Sequence, residues 1–98
     1  MNVYRNGTKV GWGEPNGAVW SSESGQQVGR AEPNGAIWSG SRQVGRIEPN
    51  GAIWSGSRQV GRIEPNGAIW SGTQQVGRVD QIPDLQRAGA AALLLLLS

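Results

Sequence analysis

"VGRIEPNGAIWSGSRQ", residues 44–59, decides the fold, because the chain repeats it almost unchanged on both sides. Residues 60–75 carry it again with "SGTQQ" in place of "SGSRQ", and residues 28–43 differ only by Ala31 where the unit has Ile47. A longer relative, "VGWGEPNGAVWSSESGQQ", fills residues 10–27. Partial copies flank the array: "VYRNGTKVG" (residues 3–11) matches "IWSGSRQVG", and "VGRVD" (residues 76–80) matches "VGRIE". A unit this short cannot hold a pair of helices, and its apolar residues are β-branched or aromatic groups bounded by turn residues, so each copy reads as two strands.

The turn chemistry is specific. In "EPNGA", Pro presets a negative φ, Asn suits the next position and Gly takes a left-handed one, which together specify a type I turn closed by a G1 bulge. The Gly40-Ser41 and Gly56-Ser57 pairs place Gly first in a two-residue loop, the type II′ pattern, and Asn6-Gly7 fills the same slot as a type I′ turn. About ten short antiparallel strands result. Across the PNG loop Ile47 is expected opposite Ile53, and across the tight turn Ile53 opposite Val60, so all three share a face. Val44 and Ile47 are three apart, which a regular strand would put on opposite faces. One irregularity per copy is therefore required between them. Gly45, Gly61 and Gly77 sit in that interval, and a bend is predicted there.

A tightly curled sheet of equal hairpins removes its edges by closing on itself. The expected fold is all-β with one C-terminal helix. Residues 1–80 form a shallow, symmetric antiparallel barrel of about 8–10 strands, and residues 81–98 a helix of the same domain. The helix begins near Pro83 and Asp84 and ends in "GAAALLLLLS" (residues 89–98). Leu93, Leu94, Leu95, Leu96 and Leu97 cover every side of it, so they need apolar surroundings all round. Residues 88–97 span roughly 15 Å as helix, too short to cross a bilayer and suited to plugging a barrel. Burial of five leucines contributes roughly 7–15 kcal/mol before entropy costs. A short tail dipping into a membrane is the competing expectation.

The recurring "VGRIEPNGAIW" units, their "NG" and "GS" turns and the alanine/leucine ending resemble the β-flower proteins, four-fold and related, over nearly the whole chain. That resemblance implies hairpin petals around a hydrophobic central channel. It also implies a likeness to the lipid-binding tubby barrel, and with it lipid or membrane association. The array leaves four or five petals open, depending on how residues 3–11 count. Trp stands where Tyr is expected in relatives, and Trp12-Gly13 replaces the Arg-Ile pair, which makes the first petal irregular.

The chain has 98 residues and a net charge of +2, with 16 Gly, 5 Trp and neither Cys nor His. The usual metal and thiol ligands are missing, so no metal, cofactor or enzymatic activity is expected. The basic residues are spread along the chain, which argues against nucleic acid. "MNVYRNGTKV" has no apolar signal-peptide core, so the expected location is cytoplasmic or peripheral to a membrane.

The candidate ligand-contact residues are Trp20, Trp38, Trp54 and Trp70 with Arg30, Arg46, Arg62 and Arg78. Register places Trp54 opposite Arg46 and Trp70 opposite Arg62 on the outer face, with Glu48 beside Arg46. A Trp ring exposed at one rim would suit a lipid headgroup interface. Trp packed beneath Arg would mark a structural or self-assembling protein, homo-oligomeric where it assembles. Carbohydrate or choline-like ligands are a third class that Trp platforms serve.

Overall fold

The computed structural model describes residues 1–81 and 84–97. Ten strands follow one another: β1 (Asn2–Arg5), β2 (Thr8–Gly13), β3 (Ala18–Ser21), β4 (Gln27–Ala31), β5 (Ala36–Ser39), β6 (Arg42–Ile47), β7 (Ala52–Ser55), β8 (Arg58–Ile63), β9 (Ala68–Ser71) and β10 (Gln74–Val79). Each pairs antiparallel with its neighbours in sequence, and β1 pairs with β10, closing a barrel of five hairpins. The partial copy at residues 3–11 is therefore a full petal, and its strand β1 supplies the closing edge. The body is a flat disc, 30 × 29 × 20 Å.

The two kinds of turn lie at opposite ends of the barrel. At one end Gly51 N–H donates to the Glu48 carbonyl at 2.9 Å, Glu48 N–H to the Ala52 carbonyl at 2.9 Å, and Gly51 has φ +92°, the expected type I turn with its bulge. The bulge leaves the Ala52 N–H free, and the Asn50 side chain accepts it at 3.0 Å, a second reason for Asn there. The Gly51 carbonyl then accepts the Ile63 N–H at 2.9 Å, tying one petal to the next. At the other end Gly56 (φ +61°) opens the two-residue turns and Asn6-Gly7 (φ +52° and +79°) has the I′ form.

Arg46 pairs with Trp54 and Ile47 with Ile53, as the PNG loop requires. Across the tight turn the register differs from expectation, because Ile53 faces Gly61 instead of Val60. The extra residue is Val60 itself, lying between the Trp54–Gln59 and Ile53–Gly61 pairs. Every petal has this bulge, at Val10, Val28, Val44, Val60 or Val76, one residue earlier than the predicted interval. Each glycine thus follows the bulge and has a different task.

Val3, Val19, Ile37, Ile53 and Ile69, all fully buried, pair with Gly11, Gly29, Gly45, Gly61 and Gly77. The barrel interior is thus belted by large residues alternating with gaps. A Cβ on Gly61 would stand 2.3 Å from the Trp70 carbonyl oxygen and 2.7 Å from Leu96 Cδ1. The gaps hold the leucines. Leu94 meets the glycine of β2, Leu93 that of β4, Leu97 that of β6, Leu96 that of β8 and Leu95 that of β10.

Each leucine in sequence therefore advances one petal round the axis. Five petals share a full turn at about 72° each, whereas an α-helix advances about 100° per residue. The chain accommodates the difference by widening. Helix α1 (Leu85–Ala92) passes into a π-helical turn, Leu93–Leu97, whose winding is wider than that of the α-helix. Nearer its start the helix is small where the barrel is full: Ala88, Gly89, Ala90, Ala91 and Ala92 are buried, and Gly89 lies against Ala31 and Ile37. Asp84 caps α1 by accepting the Arg87 N–H at 2.8 Å, while Pro83 lies outside the described residues.

Candidate functional site

The pleat turns Trp38, Trp54 and Trp70 outward because each follows an inward Ile, and cross-strand register brings an Arg beside each. The guanidinium carbons of Arg30, Arg46 and Arg62 stand 4.9, 5.0 and 5.3 Å from the ring centres of Trp38, Trp54 and Trp70. The indole N–H of Trp54 donates to Glu48 Oε1 at 2.8 Å, and Trp38 and Trp70 make the same bond to Glu32 and Glu64 at 2.9 Å. Each Arg also lies 3.7–3.8 Å from the other oxygen of that Glu. The PNG loop folds the chain so that residues six apart, Glu48 and Trp54, become neighbours.

The energies in this triad are unequal. An exposed cation–π pair is worth roughly 0.5–1 kcal/mol, and an exposed ion pair about as little or less. The short bond to an ionised carboxylate contributes about 1.5–3 kcal/mol at most, and fixes the ring. Trp therefore offers a ligand neither its N–H nor its Arg-covered face.

The girdle is completed by residues outside the predicted set. Trp20 stacks on Trp12 at 6.0 Å, with Lys9 Nζ 5.0 Å from the Trp12 ring centre, and its indole donates to Glu14 at 2.9 Å. Arg78 covers Tyr4 across the closing seam at 4.5 Å. Of the predicted residues, the structure joins Arg30, Arg46 and Arg62 to Trp38, Trp54 and Trp70, and separates Trp20 and Arg78 from any such pair. The expected ring at one rim is a belt around the wall: the indoles bond the PNG-turn glutamates, while Arg30, Arg46 and Arg62 donate to the carbonyls of Gly40, Gly56 and Gly72 in the opposite turns. Trp12 and Tyr4 were discoverable from alignment with the repeat, since they occupy the positions of Arg46 and Trp54.

The predicted plug residues gather at the tight-turn end, called here the leucine end. Leu93 and Leu95 are buried, Leu94, Leu96 and Leu97 half-buried. The bulged valines 10, 28, 44, 60 and 76 are also half-buried and pack against the same core. Arg5 donates to the Leu95 carbonyl at 3.1 Å, a cationic cap on the turn. Arg58 lines a cleft with Val60 and Leu96, and Lys9 lines another with Val10 and Leu94. Among the described residues no carboxylate pairs with Arg42 or Arg58.

The opposite, PNG end has a cleft of about 320 Å³ between two turns and the start of α1, lined by Ile47, Pro49, Ile63, Pro65 and Leu85 with Glu48, Glu64 and Asp84. Among the described residues no group of three or more acidic side chains is placed to hold a metal ion. No described helix is long and apolar enough to cross a membrane. No known family, curated protein or solved structure matches this chain.

Proposed function

We propose that the chain is a non-enzymatic assembly module, a rigid barrel that acts through its ends. The observation that supports this is the closed account of the wall. The indoles of Trp20, Trp38, Trp54 and Trp70 bond glutamates, and three of those rings lie beneath an Arg. A carbohydrate or choline-like ligand would have to displace these partners. Resemblance to the β-flower barrels belongs to the same proposal, supported by the five hairpins and the leucines set among them.

A lipid-binding reading is favoured by one separate observation. The half-buried valines and leucines share the leucine end with Arg5, Lys9, Arg42 and Arg58, and each cation near an anionic surface is worth about 1 kcal/mol. Co-sedimentation with vesicles separates the two. An assembly module stays in the supernatant with both phosphatidylcholine and phosphatidylserine-rich vesicles, while its own sedimentation coefficient rises with concentration. Salt-sensitive pelleting with the anionic vesicles alone, by a protein that is otherwise monomeric, replaces the assembly reading with the lipid one.

A further inference from the structure

The two ends of the barrel differ in charge, because the repeat puts a glutamate at the start of each PNG turn and, in two copies, an arginine with no carboxylate partner among the described residues after the tight turn. Glu14, Glu32, Glu48 and Glu64 open the PNG turns, and Asp80 and Asp84 lie at the same end, where β10 finishes and α1 begins. Six of the seven acidic residues are therefore at the PNG end, where they outnumber Arg30, Arg46 and Arg62, which pair with three of them, and Arg87 in the first turn of α1. The leucine end carries Arg5, Lys9, Arg42 and Arg58 against one carboxylate, Glu23. Both ends also have apolar centres. At the PNG end Ile47, Ile63, Pro49, Pro65 and Leu85 line the cleft. At the leucine end the centre is the half-buried leucines ringed by the bulged valines.

We infer that the partner of each barrel is a second copy of this chain, stacked head to tail with the leucine end of one on the PNG end of the next. This rests on the reading of the barrel as an assembly module and specifies its interface. Charge is complementary between unlike ends and repulsive between like ends, which favours the head-to-tail arrangement over either two-fold one. A face of the 30 × 29 Å disc covers about 700 Å², close to the roughly 800 Å² per partner of a stable interface. Such a contact is heterologous and leaves one unlike end free at each tip, so the product is an open stack instead of a closed dimer.

Sedimentation velocity of the full chain tests this with two variants that spare the Trp–Glu bonds. R42E/R58E spoils the leucine end, and P33K/P49K/P65K spoils the PNG end at exposed turn positions. Circular dichroism melts confirm that each folds. The wild type is expected to form species larger than dimers at low salt and to dissociate at high salt, while each variant alone stays monomeric. Mixed, the variants present oppositely charged ends to each other at both contacts, the unaltered pair and the Glu-bearing leucine end on the Lys-bearing PNG end, so association is expected to return. A monomeric wild type overturns the inference, and if that monomer pellets with anionic vesicles the assembly reading falls with it. Association that survives in either variant also overturns the head-to-tail contact, but leaves an assembly module with another interface.

Discussion

At the scale of single residues, the decisive quantity is the space at Gly61. Its φ is not left-handed, so backbone freedom is not the reason for glycine there. The reason is approach: the Trp70 carbonyl oxygen and Leu96 occupy the volume a Cβ would need. Gly61→Ala is expected to cost at least about 2 kcal/mol and Gly61→Val more, read from urea unfolding. Combining Gly61→Ala with Leu96→Ala should not restore stability, since the carbonyl oxygen stays in place. Gly56 has open space around it, and alanine there should cost about 1–2 kcal/mol through its φ of +61° alone. At the girdle, Glu48→Ala removes the acceptor of the Trp54 indole and should lower stability by about 1 kcal/mol, whereas Glu48→Gln keeps an oxygen and should recover most of it. Equal losses in the two variants would show that charge, not the hydrogen bond, is what Glu48 supplies.

Among the elements, the hairpins were legible because their turns are local: PNG and GS name their own backbone geometry before any tertiary contact exists. The bulge was half legible. Val44 and Ile47 require one irregularity between their faces, but local chemistry favours Gly45 over Val44 as the extra residue, and only the neighbouring Trp54 carbonyl oxygen together with Leu97 explains Gly45 as a gap. Trp–Arg pairing followed from register, whereas the Glu–Trp bond spans a turn and the Tyr4–Arg78 contact spans the seam, so both depend on closure. For the helix, Leu95→Asp puts a carboxylate where the side chain is 7% exposed beside Gly77. It should lower stability by several kcal/mol, because an unpaired charge there is desolvated. An unchanged melting curve would place the leucines outside the barrel. Leu93→Ala, at a fully enclosed position, should cost about 2–5 kcal/mol, and Leu97→Ala, half-exposed, distinctly less.

For the whole molecule, closure couples everything: β1 and β10 meet through backbone pairing and the Tyr4–Arg78 contact, and the helix fills the ring that this seam completes. A chain truncated after Gln81 should lose its cooperative thermal transition, since five glycine gaps would open inside the belt and the few contacts of the seam would be left to close the ring around an empty core. Retention of a sharp melt would show that the sheet closes unaided. The pairing of one leucine with each petal has a consequence for heredity. Near-identical tandem units are prone to gain or loss by slippage during replication, and sixteen residues more or fewer would leave every remaining turn and strand well formed. The five leucines fit only five gaps. With four petals one leucine would have no gap to enter, and with six one gap would have no leucine, so a change of one unit is expected to destabilise the barrel although each remaining hairpin is well formed.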